Sequence, residues 1–95
     1  MTSYDQLILY CLYCLSQKRE GVGFEDLLEE CFQQFSSRFA FPRHSWPDAR
    51  KLDRPLRHLQ EKGLLFQNDS RFRLTKSGKV LGRKLAEKLH QEKLF

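Results

Sequence analysis

The sequence predicts a mainly helical α+β domain in the order helix, helix, helix, β-hairpin, helix, and three observations predict it. Apolar residues recur at helical spacing over four separate stretches. Two short runs, 64–67 and 71–74, flank the polar trio Asn68-Asp69-Ser70, the pattern of a hairpin. The 95 residues suffice for one core and are too few for two, so 1–95 reads as a single domain.

Each element has its own signal. Ser3 with Gln6 three residues later is a capping box, so the first helix is expected to start near Tyr4 and stop before Gly21. Its run Leu7 to Leu15 is apolar nearly all round, which makes it either the central helix of the core or a dimer seam. After the break at Gly21-Val22-Gly23, a second helix is expected over 24–38. There Phe24, Leu27, Leu28, Cys31, Phe32 and Phe35 face in, and Glu25, Asp26, Glu29 and Glu30 face out. Residues 39–47 carry two prolines and read as a loop whose aromatic residues Phe39, Phe41 and Trp46 fill the core beside it. A third helix is expected over 48–62, with Ala49, Leu52, Leu56 and Leu59 buried and Gly63 as its left-handed cap. In the hairpin, alternation turns Phe72 and Leu74 inward and Arg71 and Arg73 outward. Thr75 caps a last helix over 76–92, with Val80, Leu81, Leu85 and Leu89 as its apolar stripe.

Charge is divided unevenly along the chain. Residues 1–41 hold three basic and six acidic side chains, net −3, while 42–95 hold fourteen basic and six acidic, net +8. A basic half attracts a polyanion, of which nucleic acid is the commonest. The longest apolar run spans nine residues, far short of a membrane crossing, and no membrane partner is expected. Three cysteines without a secretory pattern fit reduced thiols, so a cytoplasmic location is expected.

The run Leu52-x-x-x-Leu56-x-x-Leu59-x-x-x-Gly63-Leu64-Leu65, followed by a hairpin and then Leu74-Thr75-x-x-Gly78, resembles the winged helix-turn-helix superfamily of DNA-binding domains. The resemblance spans roughly residues 3 to 90. It implies a recognition helix at 48–62 for the major groove, a wing at 64–75, and work as a transcriptional regulator or accessory factor on specific or general DNA sites. Two departures stand out. The connection between the second and third helices is longer than the family's tight turn, and Pro55 falls inside the recognition helix, removing a hydrogen bond or else marking a later start.

On a wheel of about 100° per residue with Leu52 at 0°, Arg57, Arg50 and Arg54 fall near 140°, 160° and 200°, and His58 and Lys51 near 240–260°. Arginine forks on such a face reach phosphates or a guanine edge. The expected nucleic-acid contacts are therefore Arg50, Lys51, Arg54, Arg57 and His58, with Arg71 and Arg73 on the wing. Five or six such contacts imply a log–log salt slope of roughly −5. DNA, and less so RNA, is the expected partner, and the first and last helices, with Leu89, Leu94 and Phe95, are the expected homodimer surfaces. The alternative reading is a winged-helix protein-interaction module, favoured by the long loop and by Pro55.

No enzyme activity, cofactor or metal is expected. Cys11-x-x-Cys14 lies mid-helix without the turn of a zinc knuckle or a second pair, and cysteine packs as a small hydrophobe. His44, His58 and His90 are scattered, and Gly21-x-Gly23 lacks the rest of any phosphate-binding pattern.

Overall fold

The computed structural model describes residues 3–93, with side chains to residue 89. It is a small α+β domain of five helices and a three-stranded antiparallel sheet: α1 (Tyr4–Ser16), β1 (Val22–Gly23), α2 (Phe24–Gln34), α3 (Ser36–Phe39), α4 (Arg50–Glu61), β2 (Leu65–Asn68), β3 (Arg71–Leu74) and α5 (Lys76–Lys93). The sheet order is β1-β3-β2. Strand β1 and helix α3 are additions to the expected order. Among the described residues no helix is long and apolar enough to cross a membrane. Leu94 and Phe95, expected at a dimer surface, lie outside the described residues.

α1 begins where its capping box dictates. Ser3 Oγ accepts from the Gln6 amide at 3.2 Å, and Gln6 Oε1 accepts from the Ser3 amide at 3.1 Å. Leu7, Ile8, Leu9, Tyr10, Cys11, Leu12 and Leu15 are all buried, because α2, α4 and α5 pack around this one helix. Its apolar girth thus serves the chain's own core. Each buried Leu or Ile contributes roughly 1.5–3 kcal/mol relative to exposure, so α1 carries a large share of the stability.

The second helix is shorter than 24–38. It stops at Gln34, Phe35 leaves helical backbone (φ −136°, ψ 54°), and the single turn α3 follows. The reason lies in helical drift. An unbroken helix rotates about 40° per four residues, which would carry Phe39 about 120° away from Leu27. The break lets both be buried completely, with Phe39 edge-on to Tyr4 at 5.4 Å and Phe35 against Tyr10 at 6.0 Å.

α4 starts at Arg50 despite Pro55, which sits buried in its interior beside Leu52, Leu56 and Leu59. Its end is a complete Schellman motif. Gly63 adopts φ +72°, its amide donates to the Gln60 carbonyl at 3.0 Å, and the Leu64 amide donates to the Leu59 carbonyl at 2.9 Å. The chain turns directly into β2, and Asp69 and Ser70 (φ 52° and 61°) form the two-residue turn that leads to β3.

The end of α4 and the start of α5 are clasped together. The Thr75 amide donates to the Leu64 carbonyl at 3.1 Å, Thr75 Oγ1 donates to the Gly63 carbonyl at 2.6 Å, and the same oxygen accepts from the Gly78 amide at 3.1 Å. Gly78 is obligatory here, since a Cβ would lie 1.8 Å from the Leu64 oxygen. One turn on, a Cβ at Gly82 would lie 2.8 Å from the Tyr13 Cβ. The buried stripe of α5 is therefore Gly78, Gly82, Leu85 and Leu89. Val80 (54% exposed) and Leu81 (38%) face outward, correcting the stripe expected from apolarity, because close approach needs the glycines inside.

A Gly→Ala change inside a helix ordinarily stabilises by roughly 0.5–1 kcal/mol. At Gly78 the sign reverses. The clash with backbone forces α5 off the sheet at a cost of about 1–3 kcal/mol, and thermal unfolding of Gly78→Ala is expected to occur roughly 5–15 °C below the parent. An unchanged or higher midpoint contradicts the clasp.

Candidate nucleic-acid interface

With the leucines of α4 packed inward, its outer face carries Arg50, Asp53, Arg54, Arg57 and Gln60, all exposed. The seven basic residues expected to form one surface do not share an environment. Arg54 and Arg57 stand in solvent and make no ion pair with any described residue. They are the cations on this face most available to a ligand.

Arg50 is exposed but committed to a partner. Asp48, only 2% exposed, receives the Arg50 amide at 3.0 Å, Nε at 3.1 Å and Nη2 at 3.3 Å. Those hydrogen bonds from the guanidinium hold the Asp48 carboxyl below the usual carboxylate range and raise the arginine's own pKa. The guanidinium also lies 5.0 Å above the Phe41 ring. Arg50 thus anchors the start of α4 to the preceding loop, and its charge is matched by Asp48.

Lys51 and His58 turn toward α1 rather than away from the core. Lys51 Nζ lies 5.5 Å from the Tyr4 ring centre, and His58 Nδ1 lies 3.3 Å from Asp5 Oδ2, an oxygen that Lys62 Nζ also approaches at 3.8 Å. Their wheel angles sit on the flank of α4, and the polar start of α1 occupies that flank. Both belong to the α1–α4 seam.

The hairpin arginines, Arg71 and Arg73, lie on the other side of the sheet. Leu65, Gln67, Phe72 and Leu74 share one sheet face, and Phe66, Asn68, Arg71 and Arg73 the opposite one. Gln67 and Phe72 meet Arg57, Asp53 and Gln60 of α4 across a groove of about 240 Å³. That is below the span usual for a small-molecule pocket. Arg71 instead donates to the Gly21 carbonyl at 3.3 Å, and half-buried Arg73 lies 3.9 Å from Glu20. The arginines of α4 and of the hairpin therefore present two surfaces.

The loop between α3 and α4 adds residues that the sequence reading assigned to the core. Phe39 is buried, but Trp46 is 53% exposed, stacked on His44 with ring centres 4.2 Å apart and edge-on to Phe41 at 6.4 Å. A Pro42-Arg43 turn, with Arg43 at φ +66° and the His44 amide donating to the Phe41 carbonyl at 3.1 Å, holds this cluster in place. Two prolines and three aromatics beside Arg43 were the available signal. Their direction was not readable.

Cys11 and Cys31 are fully buried, and the hydrogen bond of the Cys11 thiol with Cys31, together with burial, pushes that thiol up. Burial likewise pushes Tyr10 up to about 12. Cys11 and Tyr10 stay protonated as core packing. Among the described residues no cluster of three or more His, Cys, Asp or Glu could hold a metal ion.

The depressed Asp48 carboxyl makes stability depend on acid. Its contribution is present above the unfolded value of 3.8 and is lost as pH falls through that value toward the folded one. Unfolding midpoints from about pH 5 to about pH 2 should fall less steeply in Asp48→Asn than in the parent. Parallel curves contradict the pairing. Comparison of the chain with protein-family models, with curated proteins and with solved structures gives no match.

Proposed function

We propose that this chain is a winged helix-turn-helix domain that binds duplex DNA with the outer face of α4, as a transcriptional regulator or accessory factor. The observation that carries the reading is the pair Arg54 and Arg57, one turn apart on a helix whose opposite face is sealed, exposed and without ion pairs among the described residues. A helix of this width fits the major groove, and an unpaired guanidinium reaches phosphate or guanine without first breaking an internal bond.

Three further features support it. A short strand ahead of α2 pairs with the second strand of a hairpin that follows α4, in the arrangement of a wing beside a recognition helix. The net charge of +8 beyond residue 41 draws DNA toward this half of the fold. Gln67 and Gln60 line the groove shared with Arg57 and add hydrogen-bonding groups next to it. Arg50 contributes as an anchored cation. Lys51, His58, Arg71 and Arg73 are secondary, because each is turned toward other parts of the chain.

A protein-interaction module is the second reading. It draws on the matching of Arg50 by Asp48, which lowers the charge at the start of the helix. Capture of one protein with no retention on DNA at low salt would decide for it.

The Arg54→Glu, Arg57→Glu variant separates the readings. Both positions are exposed, so thermal unfolding should stay within a degree or two of the parent, as for ordinary surface changes. Duplex affinity measured by fluorescence anisotropy at low salt should fall at least about tenfold. With about four phosphates neutralised, the parent's log–log salt slope should be roughly −3.5, shallower than the slope from all seven residues. Parent-like DNA binding by the variant would overturn the assignment of this face.

A further inference from the structure

We propose that the 41–47 loop is a base-stacking platform, so that the preferred ligand is a nucleic acid offering unpaired bases beside a duplex. The proposal rests on the α4 reading above and names the substrate class of that surface. An indole left more than half exposed is a poor use of the largest apolar side chain unless something covers it. Here it is held rather than loose. His44 stacks on it with an interplanar angle of 12°, Phe41 buttresses its edge, and the Phe41 amide donates to the Trp46 carbonyl at 3.1 Å. The Ala40–Pro47 bridge closes the loop at its base. A ring fixed before binding gives up little entropy when a partner stacks on it.

The surroundings select the partner. From residue 38 to residue 54 the chain carries Arg38, Arg43, Arg50, Lys51 and Arg54 against Asp48 and Asp53, a net of +3. Asp48 and Arg50 neutralise each other as a pair, so the net of +3 is carried by Arg38, Arg43, Lys51 and Arg54 against Asp53. Aromatic rings interleaved with cations are what a strand of bases and phosphates fits. The platform also joins the helix directly. Arg50, which opens α4, lies over Phe41, and Arg54 follows one turn later, so the loop continues the α4 surface at its N-terminal end. A duplex along α4 would bring its terminal or melted bases to Trp46.

Trp46 is the only tryptophan in the chain, which makes its emission a direct reporter. The full chain is titrated at low salt with a blunt duplex of about 20 base pairs and with the same duplex carrying an overhang of about six thymines, a length one such site can engage. The overhang probe should quench Trp46 and bind roughly ten- to hundredfold tighter than the blunt one, the worth of one base stacked on an aromatic ring. Trp46→Ala should lose that margin, binding both probes like the parent binds the blunt one. Equal binding of the two probes with unquenched emission overturns the platform and leaves the α4 reading standing. Failure of the parent to bind either probe overturns both. A Trp46→Ala chain that keeps the overhang preference overturns the platform alone.

Discussion

Leu52, Leu56 and Leu59, buried in the core that α4 closes against α1, fix the rotation of α4 about its own axis, and what the rest of the surface presents follows from that rotation. With three leucines and Pro55 inward, Arg54 and Arg57 have nowhere to go but solvent, while Lys51 and His58 fall on the flank that Tyr4 and Asp5 already occupy. A rotation of one residue, about 100°, would bring Lys51 and His58 to the outer face and carry Arg57 toward the core. The same packing explains why α1 is apolar nearly all round from Leu7 to Leu15: α2, α4 and α5 all pack against it.

The C-terminal half is then hung from the end of α4. The Schellman motif at Gly63 reverses the chain into β2, and the Leu64 carbonyl, freed of any helix, becomes the seat on which Thr75 and Gly78 close. Hairpin and α5 are thereby tied to the helix that carries the arginines, so that hairpin and helix hold a fixed relation across the Gln67–Arg57 groove. Preorganisation of this kind lowers the ordering cost of binding a rigid partner such as a duplex.

Features set by neighbours in sequence were legible without coordinates. The Ser3–Gln6 box, the Gly63 cap and the inward leucines of α4 are all local signals that stand where they were expected, and the hairpin stands one residue off, its first strand at Leu65–Asn68 rather than 64–67 and its turn two residues rather than three. Features set by distant neighbours were not. The break at Phe35 exists because Phe39 must reach Tyr4, 35 residues earlier. The outward turn of Val80 and Leu81 exists because glycine, which scores as nothing on an apolar scale, is what the Leu64 carbonyl and Tyr13 demand. The candidate site divides in the same way. Angles on a wheel found Arg54 and Arg57, but whether a cation is already engaged depends on Asp48, Asp5, Gly21 and Glu20, which no wheel of α4 contains.

The proposed meeting of α4 with nucleic acid uses the face that Arg54 and Arg57 define. Backbone amide shifts in a ¹⁵N NMR titration with duplex DNA test it most directly. The largest shifts are expected over 50–57, with the acidic face of α2 at Glu25, Asp26 and Glu29 unmoved. Shifts centred on α2 or on the outer face of α5, or none along α4 at saturating DNA, would contradict it.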